Sequence, residues 1–93
     1  MTEKAIENYF KTEIKKRGGL AIKLNSMSMS GLPDRMVLLP NSIIFFAELK
    51  RPGGKARPLQ SAVHRILENL GFDVYVIDSK EQVKEVINKY GSF

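Results

Sequence analysis

The 93-residue chain predicts an α/β fold, a mixed central sheet flanked by helices, from three observations. Apolar residues recur at helical spacing in three stretches. Four shorter runs are either continuously apolar or alternate with polar residues, as strands do. Glycine, proline and asparagine separate these segments. The order is helix, three strands, helix, strand, helix (αβββαβα), with a hairpin of the second and third strands at the sheet centre. The length is that of one domain, residues 1–93.

Thr2 is a helix cap, and Ile6, Tyr9, Phe10 and Ile14 lie on one face of a helix running to about Arg17, which Gly18 and Gly19 stop. "LAIKLN", Leu20 to Asn25, alternates as a strand and enters the small-residue loop "SMSMSGLP". "RMVLL" and "IIFFAEL" form the hairpin around Pro40-Asn41. The second of these is apolar on both alternating sets, which predicts a central strand covered on both faces. "RPGGKARP" is a basic loop. Leu59, Val63, Ile66, Leu67 and Leu70 mark the next helix, ended by Gly71, and "DVYVI" is a short strand. Ser79 with Gln82 is a capping box for a last helix with Val83, Val86, Ile87 and Tyr90 on its apolar face.

Fifteen Lys and Arg against ten Asp and Glu give a net charge of +5, which favours polyanionic partners such as nucleic acid. Basic residues cluster at Lys11 to Arg17 and at Lys50 to Arg57, two patches able to follow phosphates. The chain has no cysteine, which excludes a disulfide framework and a thiolate metal site. It has no secretory h-region and no run long enough for a membrane span, so no membrane partner and a cytoplasmic protein are expected.

The chemistry concentrates between Asp34 and Lys50. Glu48 and Lys50 are two apart on a strand and therefore share one face with Ile44 and Phe46. A carboxylate leaving so apolar a face is costly unless it is paired or binds a cation. Asp34 lies at the matching end of the partner strand. With a three-residue turn, residue 39 pairs with 43 and Asp34 stands opposite Glu48; a two-residue turn sends Asp34 to the other face. The reading therefore requires an odd-length turn or a bulge. Two carboxylates so placed suit a hard cation such as Mg²⁺, and phosphodiester hydrolysis uses such an ion to offset phosphate charge and acidify water. A neighbouring ammonium stabilises developing charge or orients that water. Glu13-Ile14-Lys15 repeats the spacing on a helix, where residues two apart do not share a face.

"GLPDR" followed by "FAELKRPGGKARPLQ" resembles the VRR-NUC family, the virus-type replication-repair nucleases of the PD-(D/E)xK superfamily, and the likeness runs from the first helix through "LGFDVYVID". The resemblance implies a restriction-endonuclease-like core and Mg²⁺-dependent cleavage of DNA, with Mn²⁺ as a substitute, in a bacterial or phage-infected cell. It also implies a homodimer acting on four-way (Holliday) junctions or other branched DNA in repair. By position, the family's acidic motif falls on Asp34, its Glu-x-Lys on Glu48 and Lys50, and its helix glutamine on Gln60. The Leu49 carbonyl becomes a further metal ligand, and the acidic residue of the first helix is Glu3 or Glu7, with Glu3 slightly favoured.

Arg51, Lys55 and Arg57 are expected to contact phosphate. Arg35, of opposite strand parity to Asp34, is expected to bind phosphate or a carboxylate outside the site. Lys23 is ambiguous, His64 is disfavoured as a general base, and Met27 and Met29 flank a partner subunit or DNA. "YGSF" at the end of the chain is read as either frayed or packed in a dimer. The alternatives to the nuclease are a non-catalytic basic nucleic-acid-binding module and a subunit of a repair complex. Metal dependence separates them, because adjacent carboxylates repel phosphate unless a cation bridges the two.

Overall fold

The computed structural model describes residues 1–25 and 29–91. Three helices and four strands follow in the expected order: α1 (Glu3–Lys16), β1 (Leu20–Lys23), β2 (Arg35–Leu39), β3 (Ile43–Leu49), α2 (Pro58–Asn69), β4 (Asp73–Ile77) and α3 (Lys80–Asn88). The strands form one sheet in the order β1-β2-β3-β4. The first three are antiparallel, and β4 runs parallel to β3 through the α2 crossover.

Local chemistry sets the element ends. The Thr2 hydroxyl accepts the Ala5 N–H, and the Ser79 hydroxyl accepts the Gln82 N–H, so both outer helices start on a side-chain cap. β1 is shorter than its alternating pattern, ending at Lys23 rather than Asn25. Met27 and Ser92–Phe93, for which partner contacts were considered, lie outside the described residues; Met29 is exposed.

The hairpin turn decides the register. It takes three residues, Pro40 to Ser42, with Asn41 and Ser42 both at positive φ (68° and 62°). Leu39 consequently pairs with Ile43 and Arg35 with Ala47. The next position places Asp34 opposite Glu48.

Across all four strands the pairing gives even-numbered residues one face and odd-numbered residues the other. The odd face is the core: Val37, Leu39, Phe45, Ala47, Leu49 and Ile77 are buried under Ile6, Phe10 and Ile14 of α1 and Val83, Val86 and Ile87 of α3. Phe45 stacks on Tyr90 with centroids 4.7 Å apart and meets Phe10 and Tyr75 edge-on.

Among the described residues the even face carries only α2. Phe46 is buried there, but Ile44 is 39% exposed and Leu20 62%, so the expectation that β3 is covered on both faces holds only toward its carboxyl end. One twelve-residue helix is too narrow to cover four strands.

Candidate active site

Asp34 follows the buried Pro33 at the entrance to β2. The preceding loop approaches α2 so closely that a Cβ on Gly31 would come within 2.8 Å of Val63 Cγ2 and 2.9 Å of the Leu59 carbonyl. Gly31 also has φ +85°, so glycine is needed there on both counts. The Asp34 carboxylate is anchored at the far side of the hairpin, where its Oδ2 accepts the Leu49 N–H at 2.9 Å. Its backbone carbonyl accepts the Leu24 N–H, which fixes the loop to β1.

Glu48 is 1% exposed. Its Oε2 accepts from Lys50 Nζ at 3.1 Å and from Gln60 Nε2 at 2.9 Å, while its Oε1 is buried with no hydrogen-bond partner. Burial first, then the charge of Asp34, pushes the Glu48 pKa up, against the opposing pull of Lys50 and Gln60. A carboxylate held in this way has one oxygen committed to the protein and one in want of a positive partner.

Gln60 joins these parts. Its Oε1 accepts the Arg57 N–H at 2.9 Å and Lys50 Nζ at 3.3 Å, while its amide donates to Glu48. Buried at the first turn of α2, it caps the helix and tethers it to the end of β3 at once. The sequence showed a glutamine at a helix start and nothing of this double attachment.

Asp34, Glu48, Lys50 and Gln60 thus come together on the even face, beside Leu49, the buried last residue of β3. Among the described residues no group of three or more His, Cys, Asp and Glu side chains converges as a metal cage; the carboxylates form a pair. Such a pair, with a buried oxygen lacking a partner, fits Mg²⁺, which takes one or two carboxylates and keeps several waters.

The first helix gives a different outcome. Glu3 is exposed, and Glu7 is the one that turns to the sheet, where its Oε2 meets Arg35 Nη2 at 3.2 Å on the odd face. Neither residue is brought to Asp34 and Glu48. The phosphate expectation for Arg35 is corrected by the same contact: only 6% exposed, the guanidinium holds Glu7 and donates to the Ala21 carbonyl. Pleat parity sends the consecutive Asp34 and Arg35 to opposite faces. Lys23 pairs directly across from Arg35 and so belongs to the odd face too, at an exposed position.

Arg51, Lys55 and Arg57 are exposed on the loop that leaves Lys50. His64, one turn beyond Gln60, is buried with Nε2 unpartnered, and burial holds its pKa below the usual range. A residue overlooked in the sequence is Asp78, whose Oδ2 accepts the Gly53 N–H at 3.1 Å and pins the basic loop. Its signal was the parallel pairing of β3 and β4, which aligns it with Lys50, and a strand order is not written in one chain's periodicity.

No family model matches the chain. A solved structure described as "VRR_NUC domain" superimposes with a TM-score of 0.87 at 34% identity, over 97% of this chain and 99% of the other. The phage protein "Putative nuclease p44" of Acyrthosiphon pisum secondary endosymbiont phage 1 is 44% identical over 79 residues, 85% of each chain. The chain belongs to the VRR-NUC family. The αβββαβα order and the mixed sheet of this VRR-NUC domain are those of a nuclease fold, as the sequence predicts. Among the described residues of the VRR-NUC chain no helix is long and apolar enough to cross a membrane.

Proposed function

We propose that this nuclease is a divalent-metal-dependent endonuclease that hydrolyses phosphodiester bonds in branched DNA. One observation carries the reading: Glu48 Oε1 is buried without a partner among the described residues, on the residue that stands opposite Asp34 across the hairpin. Asp34, Glu48 and the Leu49 carbonyl are the groups to hold Mg²⁺, or Mn²⁺ in its place. When bound, the ion offsets the phosphate charge and lowers the pKa of a water.

The chain's own residues do the rest. Lys50 Nζ, held 3.1 Å from Glu48 and 3.3 Å from Gln60, is fixed where it can orient a water or neutralise charge developing on the phosphate. Gln60 keeps both Glu48 and Lys50 in place, and a preorganised ammonium needs no rearrangement in the transition state. Arg51, Lys55 and Arg57 supply phosphate contacts beside the site.

A homodimer is supported by the uncovered even face. Leu20 pairs across to Leu38, and Leu38 to Ile44, giving an apolar row at the sheet end away from Glu48, with Leu70, just past the end of α2, and Phe72 also exposed. Apolar surface of this kind marks an interface, and a two-fold copy would supply the second cut that a four-way junction requires.

The test compares cleavage of labelled four-way junction and linear duplex DNA in Mg²⁺, Mn²⁺ and EDTA, with Lys50→Ala alongside. Metal-dependent cutting that is lost in the variant, and faster on the junction, is the expected result. Metal-independent binding without cutting would replace the enzyme with a DNA-binding module.

A further inference from the structure

The parallel pairing of β3 and β4 brings two loops out side by side. Glu48 is in register with Val76 and Leu49 with Ile77, so the chain beyond Lys50 and the chain beyond Ile77 leave at the same end of the sheet. Two hydrogen bonds tie them, Lys50 N–H to the Ile77 carbonyl at 2.8 Å and Gly53 N–H to Asp78 Oδ2 at 3.1 Å, and Asp78 N–H is held in turn by Gln82 Oε1 of α3 at 2.7 Å. Between these loops and the first turns of α2 and α3 lies a cavity of ≈ 480 Å³ whose lining includes Gly53, Lys55, Ser61, Val76, Asp78 and Gln82. Two of its lining residues are neighbours of the carboxylate cluster: Ser61 follows Gln60 in α2, and Val76 stands beside Glu48 on the even face.

We infer that this cavity binds one nucleotide of the DNA strand, next to the phosphodiester that is cut. The inference rests on the nuclease reading above and extends it to a site for the flanking nucleotide. The size lies in the range of small-ligand sites. The electrostatics favour an anion at one end, where Lys55 carries a full charge and Ser61 of the first turn of α2 offers a hydroxyl. Gly53, at φ +77° with nothing within 4 Å of a would-be Cβ, leaves its stretch of backbone unshielded. Val76, 40% exposed, offers an apolar floor to a sugar or base.

Asp78 is the one carboxylate among the lining residues and already accepts the Gly53 N–H. Its charge turns phosphate toward Lys55 and Ser61 and leaves the Asp78 and Gln82 side for the hydrogen-bonding edge of a base. Gln82 has given its oxygen to Asp78, so its NH₂ remains as a donor. Continuity with the Glu48 cluster fits a link in a strand better than a detached small molecule.

The test uses the full chain, ¹⁵N-labelled, titrated with a single-stranded hexanucleotide in Ca²⁺ and assayed separately for cleavage in Mg²⁺. Amide shifts at Gly53, Gly54, Lys55, Ser61 and Gln82 are expected. Val76→Trp, which fills the floor, is expected to weaken binding and raise KM about tenfold, the scale of one lost base contact. Lys55→Ala, at an exposed position that folding does not need, is expected to raise KM about tenfold through the lost charge-assisted contact. Unmoved amides at Gly53, Ser61 and Gln82, with Val76→Trp cutting as the wild type does, would overturn the pocket and leave the nuclease standing. Shifts that vanish in Val76→Trp, with no cutting by the wild type in Mg²⁺ or Mn²⁺, would overturn the nuclease reading and keep the nucleotide site.

Discussion

The two faces of the sheet are built from the same strands, yet they solve different problems. The odd face lies under α1 and α3, with Phe10, Phe45, Leu49 and Ile77 buried against one another. Its one charged residue deep in the sheet, Arg35, holds Glu7 and a carbonyl through its terminal nitrogens, and its Nε alone is left without a partner. The even face lies, among the described residues, under α2 alone and holds Glu48, only 1% exposed, with one oxygen unanswered. The odd face carries the core, with its buried charge neutralised by an opposite one; the even face leaves a carboxylate oxygen without a partner beside a second carboxylate, and there the proposed chemistry sits.

The sharpest contrast is in activity. Lys50→Ala removes the ammonium that Glu48 and Gln60 hold, and cleavage should fall by about 10²- to 10³-fold, the usual loss for one preorganised charge-stabilising donor. Thermal unfolding should show the chain still folded, because Lys50 is at the rim of the sheet. Steady-state cleavage and a melting curve on the same preparation check both halves.

The core face should fail in the opposite way. Phe45→Ala removes a ring that contacts Phe10, Tyr75 and Tyr90 and should cost about 3–5 kcal/mol in chemical denaturation. Its neighbour Ile44, on the even face and 39% exposed, should tolerate Ile44→Lys within about 1 kcal/mol for the monomer. If the uncovered row is the dimer surface, light scattering of Ile44→Lys will report a monomer. A dimer that survives this substitution places the interface elsewhere.

This contrast also shows what a sequence can reveal. The helices, strands and hairpin follow from apolar spacing and from residues such as Thr2, Ser79 and Gly18, because these signals are local. The pairing of Asp34 with Glu48 was legible only as a condition on turn length, and the positive φ of Asn41 and Ser42 met it. Parity also put Arg35 on the face away from Asp34, but its partner Glu7 belongs to another element, so the choice between phosphate and carboxylate was open until α1 was placed. The orphaned oxygen of Glu48, the double grip of Gln60 and the hold of Asp78 on Gly53 are long-range contacts that no local pattern encodes.

Breaking the pair on the odd face should have a middling effect. Glu7→Gln removes the charge that answers the buried Arg35 guanidinium and leaves it the Ala21 carbonyl, and stability should drop by about 1–3 kcal/mol. Its cleavage rate per folded molecule should be that of the wild type. A selective loss of turnover in Glu7→Gln would bring the first helix into the chemistry, as the family pattern implies.

The smallest effect concerns Glu48 in the absence of metal. Burial and the charge of Asp34 raise its pKa above the ordinary value of 4.5, so the folded chain holds this proton more tightly than the unfolded chain does. The resulting stability is fully present below the unfolded value and is lost as pH rises through the folded one. In EDTA, Glu48→Gln should therefore flatten this part of the pH profile. At neutral pH it should match or exceed the wild type by less than about 2 kcal/mol. Adding Mg²⁺ should reverse the order, because a cation beside the carboxylates favours the ionised form and binds only the wild type well. Denaturation series at several pH values, with and without Mg²⁺, measure both signs. A wild type more stable than Glu48→Gln in EDTA across the whole range would mean that Lys50 and Gln60 already satisfy this carboxylate, and that the even face needs no ion to complete it.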